Sequence, residues 1–522
     1  MTGYTRRLQI LKSPERKFQP PLVYTGAPLA IADPAGNVRA HLMKASAAHR
    51  LRAPSDNDLN RFVEIVGSKN AIRDEAAMGP FLTEWRDRYV GRAALVLKPS
   101  SREEVAQILA LANDRRIAIV PQGGNTGLVG GQIPFETGDE VVVSLARLNR
   151  IRSLAADRNT MTAEAGVILE NAQRAADDVD RLFPLSLASE GSCQIGGNLA
   201  TNAGGTAVLA YGNVRNLVLG LEVVLANGEI WDGLRALEKD NTGYDLKDLF
   251  IGSEGTLGLI TAAVLKLFSK PAERATAFVG LADLKQVAEF FSLARDGAAR
   301  VMTAFELIPR LGMEFVIRHG SNVRDPLKSA YPWYVLIELS GPDADGAMQA
   351  RLEALLSQAL EANLIGDAAL ATSQAQARDL WRLRELLSEA QKPEGGGIKH
   401  DVSVPVSAIP DFIERAEELV ERIVPGCRPV PFGHFGDGNI HFNVSRPVDM
   451  DSADFLAKWD AMTGAVHELV VSLDGSVSAE HGIGRMKREL LAETKSAVEL
   501  ELMRKVKRAF DPNGILNPGK LL

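Results

Sequence analysis

The chain has 522 residues, 46% hydrophobic and 24% charged, with a formal net charge of −7. That length exceeds what one core can hold and implies about two or three domains. The acidic balance excludes a general binder of nucleic-acid backbones, and no run approaches the roughly 20 apolar residues that a membrane span needs.

Residues 1–53 run against this balance, with nine Lys or Arg opposed only by Glu15 and Asp33. The stretch lacks the apolar core of a secretory signal. Its poverty in acids is compatible with an organellar transit peptide, but its many prolines and few serines fit better with a disordered leader, or with a start at Met43. Cys193 and Cys427 show no Cys-x-x-Cys spacing, so neither a disulfide framework nor a thiolate zinc site is expected. A reducing compartment follows: the cytoplasm of a bacterial-type cell, or alternatively the mitochondrial matrix.

Order is predicted from about Asp56, where an amphipathic helix begins with Asp56 or Asn57 available as its cap. Ala94–Pro99 reads as a short strand stopped by proline. Ser100-Ser101-Arg-Glu-Glu104 opens a helix to about Asn113 with a capping-box signature, and Ile117–Pro121 is a second strand. Strand, helix and strand lead into a glycine loop, Pro121-Gln-Gly123-Gly124-Asn125-Thr126-Gly127, continuing to Gly130 and Gly131. The loop is neither a Walker loop nor Gly-x-Gly-x-x-Gly, so a nicotinamide site of the Rossmann type is not supported. A second run spans Pro184 to Gly205 and contains Gly191, Ser192, Gly196, Asn198, Thr201, Asn202, Ala203 and Gly204. A strand, an Asn227-Gly228 turn and a return strand follow. A third run carries Glu254, Gly258 and Ile260. Three such nests imply one long ligand with phosphates and an extended body.

Beyond Pro271 short strands near 277–281, 301–307 and 333–339 alternate with helices near 283–297, 347–361 and 374–391. This is the texture of an α+β domain with an antiparallel sheet. Helices near 407–424, 454–473 and 495–509 come next. Between them lies Val430-Pro-Phe-Gly-His434-Phe-Gly-Asp-Gly-Asn439-Ile-His441-Phe-Asn443, a β-hairpin whose turn residues supply positive φ. His441 and Asn443 are two apart and share one face. With His481, in Ser478-Ala-Glu480-His481-Gly482, His434 and His441 suggest a divalent metal site with a carboxylate nearby. The alternative is three core histidines with satisfied hydrogen bonds. His467 lacks such neighbours and is set aside.

The motifs PQGGNTGLVGG, GSCQIGGNLATNAGG, DNTGYDLK and IGSEGTLGLIT resemble the FAD-binding domain of the vanillyl-alcohol oxidase/p-cresol methylhydroxylase superfamily, and most nearly its D-2-hydroxyacid dehydrogenase branch. The resemblance runs from about residue 58 to the end. It implies an α+β fold: an FAD-binding domain of two subdomains over 55–270, a substrate-binding cap over 271–460, and a helical segment over 461–522 that returns to the flavin. Residues 1–54 form the leader. It further implies that the 123–127 loop cradles the pyrophosphate, that 191–204 and 254–260 complete the cleft, and that Asn517 lies against the flavin. The first loop has no histidine of the kind that flavinylated relatives carry, so dissociable, non-covalent FAD is expected.

A flavin takes hydride from a C–H beside a hydroxyl, but the hydroxyl proton must also leave; a divalent ion lowers its pKa and a histidine accepts it. The residues themselves leave open which of the three histidines is not a ligand. The resemblance implies that His434, His441 and Glu480 are the ligands, with zinc the expected ion, and that His481 is the base. It also implies substrate contacts at Arg384, Ser388 and Lys399, where a bidentate Arg and a second cation suit a dicarboxylate. Asn443 is a further contact. Ser388 and His400 depart from the relatives' threonine and aromatic, which bears on chain-length preference. The resulting expectation is an FAD- and metal-dependent dehydrogenase of D-2-hydroxyglutarate. Its runner-up is a D-lactate, D-malate or glycolate dehydrogenase. Further alternatives are a non-redox flavoenzyme like alkylglycerone-phosphate synthase and a plain zinc hydrolase. Electron-transfer flavoprotein or a quinone is the expected acceptor, and a homodimer the expected assembly.

Overall fold

The computed structural model describes residues 51–298 and 301–522; the expected leader, apart from its last residues, lies outside them. Ordered structure opens with the helix Asp56–Val66, capped not by Asp56 or Asn57 but by Ser55, whose hydroxyl accepts from Asp58 N while the Asp58 carboxylate accepts from Ser55 N. Ser55 wins because it is the residue with extended dihedrals, which a capping residue needs and a helical one lacks. The next helix, Arg102–Arg115, is capped by Ser101 as its sequence predicts, although the Glu104 carboxylate reaches Ser100 N rather than the amide of the cap.

Two sheets occupy the first half of the described chain. Leu95–Leu97, Val141–Ser144 and Ile119–Gln122 run parallel, with Ala71–Ile72 antiparallel at the edge. Their Leu and Val side chains are wholly buried, the unbroken apolar pattern of a parallel sheet covered on both faces. The second sheet is antiparallel, in the order Ile151–Ala155, Thr160–Glu164, Leu259–Lys266, Val218–Val224, Ile230–Gly233. The chain's end returns to the first sheet: Ile119 N donates to Ile515 O and Asn517 N to Ile119 O, 2.8 Å each. Ile515 and Leu516 are fully buried there.

A seven-stranded antiparallel sheet follows, ordered Asp367–Leu370, Glu273–Leu281, Trp333–Gly341, Met302–Pro309, Arg428–His434, Asn439–Ser445, Gly397–Ser403. One face carries the largest core, in which Ile440, Phe442 and Val444 of one strand and Ile398 and Val402 of the next pack with the helices Ile409–Ile423 and Trp459–Ser472. Because strand side chains alternate, His441 and Asn443, with Lys399 and Asp401, take the opposite face. His400 therefore turns into the core, where its Nδ1 lies 2.7 Å from Phe442 O and its ring 5.9 Å from that of His467. It is no part of the substrate face on which it was weighed from sequence. The helix predicted over 374–391 breaks into Gln374–Glu385 and Leu387–Ala390.

The C-terminal return is fastened by a buried ion pair, Lys520 Nζ to Glu140 Oε1 at 3.1 Å, with Lys520 wholly inaccessible. Burial lowers the Lys520 pKa to about 8 against the pull of Glu140. Replacing Lys520 by Met leaves a carboxylate buried without its partner, a loss of about 3–5 kcal/mol. The expected outcome is a lower thermal unfolding midpoint for Lys520→Met, partly restored in Lys520→Met/Glu140→Gln.

Candidate active site

The three glycine runs meet. A Cβ at Gly124 would stand 2.1 Å from Ser192 O, and one at Gly255 would stand 2.4 Å from Pro121 Cγ, so only glycine permits these approaches. The helix Ile195–Ala200 rests on Ala165, where Gly196 N donates to Ala165 O. Pro121, Gly123, Gly124, Thr126 and Gly127 remain half-buried, as the wall of a cleft does, and Asn125 sits at φ 55 with its Nδ2 donating to Pro80 O and Thr83 O. Asn517, from the returning C-terminus, donates to Gly131 O and Glu254 O, 2.9 Å each.

Four buried amide atoms around this junction lack partners among the described residues: Asn125 Oδ1, Gln194 Oε1, Asn198 Nδ2 and Asn517 Oδ1. Each costs about 1–3 kcal/mol if left so, and their concentration beside backbone-lined glycine loops fits a polar ligand with phosphates. Gln194 was not singled out from sequence; its glycine-rich setting offered the signal. The other residues expected at the cofactor differ in their surroundings. Pro184 is buried, whereas Gly191 and Ser192 are exposed. Thr201 bonds its own helix through Gly197 O, and Asn202 Oδ1 accepts from Arg215 N. Ala203 is buried. Gly258 and Ile260 lie against strand Val218–Val224, Gly258 where a Cβ would be 2.6 Å from Val223 Cγ1. The DNTGYDLK motif forms an exposed loop with Tyr244 93% accessible.

On the face of the seven-stranded sheet opposite the largest core, His434, His441 and Glu480 bring ligating atoms within 4.8 Å of one another. The register explains it. Glu306 pairs with His434 on the adjoining strand, and its Oε1 lies 2.8 Å from His434 Nδ1. That fixes the ring and leaves Nε2 facing Glu480 Oε1 at 3.8 Å. A histidine oriented by a carboxylate through its second nitrogen is the usual arrangement of a metal ligand. Gly204, expected to line the cofactor, makes room for Glu480: its Cβ would stand 2.8 Å from Glu480 Oε1, which accepts from Gly205 N. Burial lowers the pKa of His441 to about 3, so its imidazole is neutral and has a free lone pair. Burial also disfavours charge on His434, but Glu306 overrides it and raises the value to about 9. A divalent cation there would have to displace that proton, because a ligating imidazole must be deprotonated at the ligating nitrogen. The donor set fits one.

Asp401 organises the remainder. Burial opposes its charge, yet the imidazoles of His481 and His441 and the Lys487 ammonium hold its pKa well below the ordinary carboxylate range. Its Oδ2 accepts from the amides of both Glu480 and His481 at 2.9 Å and lies 3.5 Å from His481 Nδ1. Two residues further, Ile483 N and Gly484 N donate to the two oxygens of Glu254, 2.7 Å each. The Glu254 side chain, expected at the cofactor, thus anchors residues 483 and 484, while its carbonyl meets Asn517.

The predicted substrate contacts diverge. Arg384 is buried and ion-paired through Nε to Glu306 Oε2 at 2.7 Å, with its guanidinium 5.0 Å from the Phe432 ring. Ser388, one turn later, is exposed. Asn443 donates to Gln391 Oε1 at 3.0 Å. Lys399 lies opposite Asn443 in the ladder; its side chain makes no hydrogen bond or ion pair among the described residues, and burial lowers its pKa to about 8. Glu306 and Asp401 escaped the sequence reading. Their one signal was a carboxylate inside an apolar strand, and only register tells which face it takes.

Comparisons with known proteins agree with this architecture. A family model described as FAD linked oxidases, C-terminal domain, matches residues 270–521, and one described as FAD binding domain matches 93–233. A probable mitochondrial D-2-hydroxyglutarate dehydrogenase of Oryza sativa subsp. indica is 38% identical, covering 93% of this chain and 86% of its own. The mitochondrial D-2-hydroxyglutarate dehydrogenase of Arabidopsis thaliana is 39% identical, covering 89% and 81% respectively. Among solved structures, p-cresol methylhydroxylase with substrate bound has a TM-score of 0.70 at 16% identity, covering 89% of this chain and 96% of that one, and so shares the fold. The chain belongs to the D-2-hydroxyglutarate dehydrogenase family of FAD-linked oxidases.

Proposed function

We propose that the protein is an FAD- and divalent-metal-dependent dehydrogenase that converts D-2-hydroxyglutarate to the 2-oxoacid. One observation carries the reading: residues 480–484 join a metal-type cluster, a histidine and the glycine-lined cleft in one tied loop. Glu480 and His481 hang on Asp401, and Ile483 and Gly484 on Glu254, whose carbonyl meets Asn517.

The 123–127 loop, Gln194, Asn198 and Asn517 would hold FAD, and His434, His441 and Glu480 a zinc-like ion. When bound, the flavin supplies the hydride acceptor and the ion supplies Lewis acidity at the substrate hydroxyl. His481, held by Asp401 at 3.5 Å, takes the hydroxyl proton at its other nitrogen, Nε2. The neighbouring carboxylate faces Nδ1, which leaves Nε2 for the substrate. Lys399 supplies a cation for substrate carboxylate. Arg384 braces Glu306, and through it His434, by its Nε, while its terminal guanidinium nitrogens remain for a substrate carboxylate.

No nicotinamide motif is present, so electron-transfer flavoprotein or a quinone is the acceptor we assign, and a homodimer the assembly. Among the described residues no helix is long and apolar enough to cross a membrane. Both relatives are named as mitochondrial, which favours the matrix over the cytoplasmic location expected from sequence.

Three outcomes test the reading. Anaerobic mixing with D-2-hydroxyglutarate should bleach the bound flavin, while the L-enantiomer should not; indifference to both would sink it. His481→Ala should keep its flavin yet lose about 10²–10⁴-fold in the rate of flavin reduction, read by stopped-flow absorbance. Chelation should abolish turnover and added zinc, manganese or cobalt restore it; full activity in a preparation verified metal-free would remove the metal from the mechanism.

A further inference from the structure

The short helix Leu387–Ala390 ends on Gln391, a buried residue that no motif marks. Its carboxamide makes two hydrogen bonds of opposite sense. Nε2 donates to Leu387 O at 2.8 Å, and Oε1 accepts from Asn443 Nδ2 at 3.0 Å. Donor and acceptor chemistry alone decides how both amides stand. A backbone carbonyl only accepts, so the nitrogen of Gln391 must face Leu387. Its oxygen is then left for Asn443, which must answer with a donor. Gln391 therefore fixes which way round the Asn443 amide stands, a choice that the planar and nearly symmetric group does not make for itself.

Asn443 lies opposite Lys399 in the ladder, two positions from the pair formed by Asp401 and His441. Residues directly opposite on neighbouring strands hold their Cβ atoms about 5 Å apart, and residues two apart on one strand stand about 7 Å apart on the same face. Lys399 and Asn443 thus form the polar pair that adjoins His441 on the face of the metal-type cluster. Asn443 is buried, and beyond the bond to Gln391 its second Nδ2 hydrogen and its Oδ1 have no partner among the described residues. An ammonium and an amide N–H side by side, without an acid to share, suit a carboxylate that comes from outside the chain.

We propose that Gln391 is a positioning residue for substrate: it fixes the nitrogen of the Asn443 amide, so that the second Nδ2 hydrogen and the Lys399 ammonium together hold one carboxylate of the 2-hydroxyacid. This rests on the 2-hydroxyacid reading above and deepens it by a residue that acts through Asn443 rather than on the substrate itself. Without Gln391 the amide is free to turn over. In the reversed orientation Oδ1 stands where the donor stood and repels the carboxylate that the donor would have bound.

The test is equilibrium binding of glutarate, a non-oxidisable diacid, to the oxidised, flavin- and metal-loaded protein by titration calorimetry, in a cycle of Gln391→Met and Asn443→Ala. Gln391→Met should weaken glutarate by about 10-fold, the size of one hydrogen bond to a charged group, with flavin content unchanged. In the Asn443→Ala background the same substitution should cost less than about twofold, because the group it positions is gone. Gln391→Glu separates positioning from packing. Its neutral carboxyl reproduces both bonds, so its affinity, compared with wild type at each pH, should approach that of wild type as the pH is lowered. Equal losses in the two backgrounds, or no loss in either, would overturn the assignment. So would a Gln391→Glu loss as large as that of Gln391→Met at every pH. Should Gln391→Met fail to retain its flavin, the Gln391→Glu series decides alone. Failure of the parent reading is a separate result: no 2-hydroxyacid reduces the flavin while glutarate binding still depends on Gln391 through Asn443.

Discussion

Two carboxylates, one on a strand and one in a glycine-rich turn, grip one short loop, and the remainder of the site follows from that grip. Asp401 takes the amides of Glu480 and His481, and Glu254 takes those of Ile483 and Gly484. Charge-assisted bonds to backbone amides are about twice as strong as neutral ones, and here they fix backbone rather than side chain. Glu480 and His481 are adjacent in sequence, so along an extended strand they would diverge. Held at a tight loop over Asp401, both turn toward the same space. The constraint has a charge logic too: Lys487, nearly inaccessible and bonded to Val477 O, offsets the two acids that flank it.

The antiparallel ladder provides the complementary half. Asp401 pairs with His441 and Lys399 with Asn443 in one register, and Phe432 and His434 complete the face in the next. A one-residue slip would send all of them into the core now occupied by Ile440, Phe442 and Val444. Hydrophobic burial on one face thus specifies the positions of polar groups on the other. Glu306 and Arg384 form a second layer behind His434, charged groups tolerated in the interior because each is paired.

Much of this was legible beforehand, and for definable reasons. The glycine runs announced a ligand because backbone that must approach closely tolerates no Cβ, a property of residue type. The hairpin at 430–443 was readable because alternation and turn residues are local signals. So were the helices over 347–361 and 409–423, whose apolar periodicity needs no tertiary context. The helix cap, expected at Asp56 or Asn57, falls on Ser55, since which residue stays extended depends on packing beyond the cap.

What the sequence by itself determined was chemistry: glycine nests for an extended phosphate-bearing ligand, and histidines with a carboxylate for a metal. Tertiary structure decided the assignments. It put Gly204 against Glu480 and turned His400 into the core beside His467. It engaged Arg384 with Glu306 and left Lys399 unpaired. The reason is physical: a residue's type sets which interactions it can make, but strand register and loop anchoring set which partner lies within 3 Å, and no local pattern encodes that.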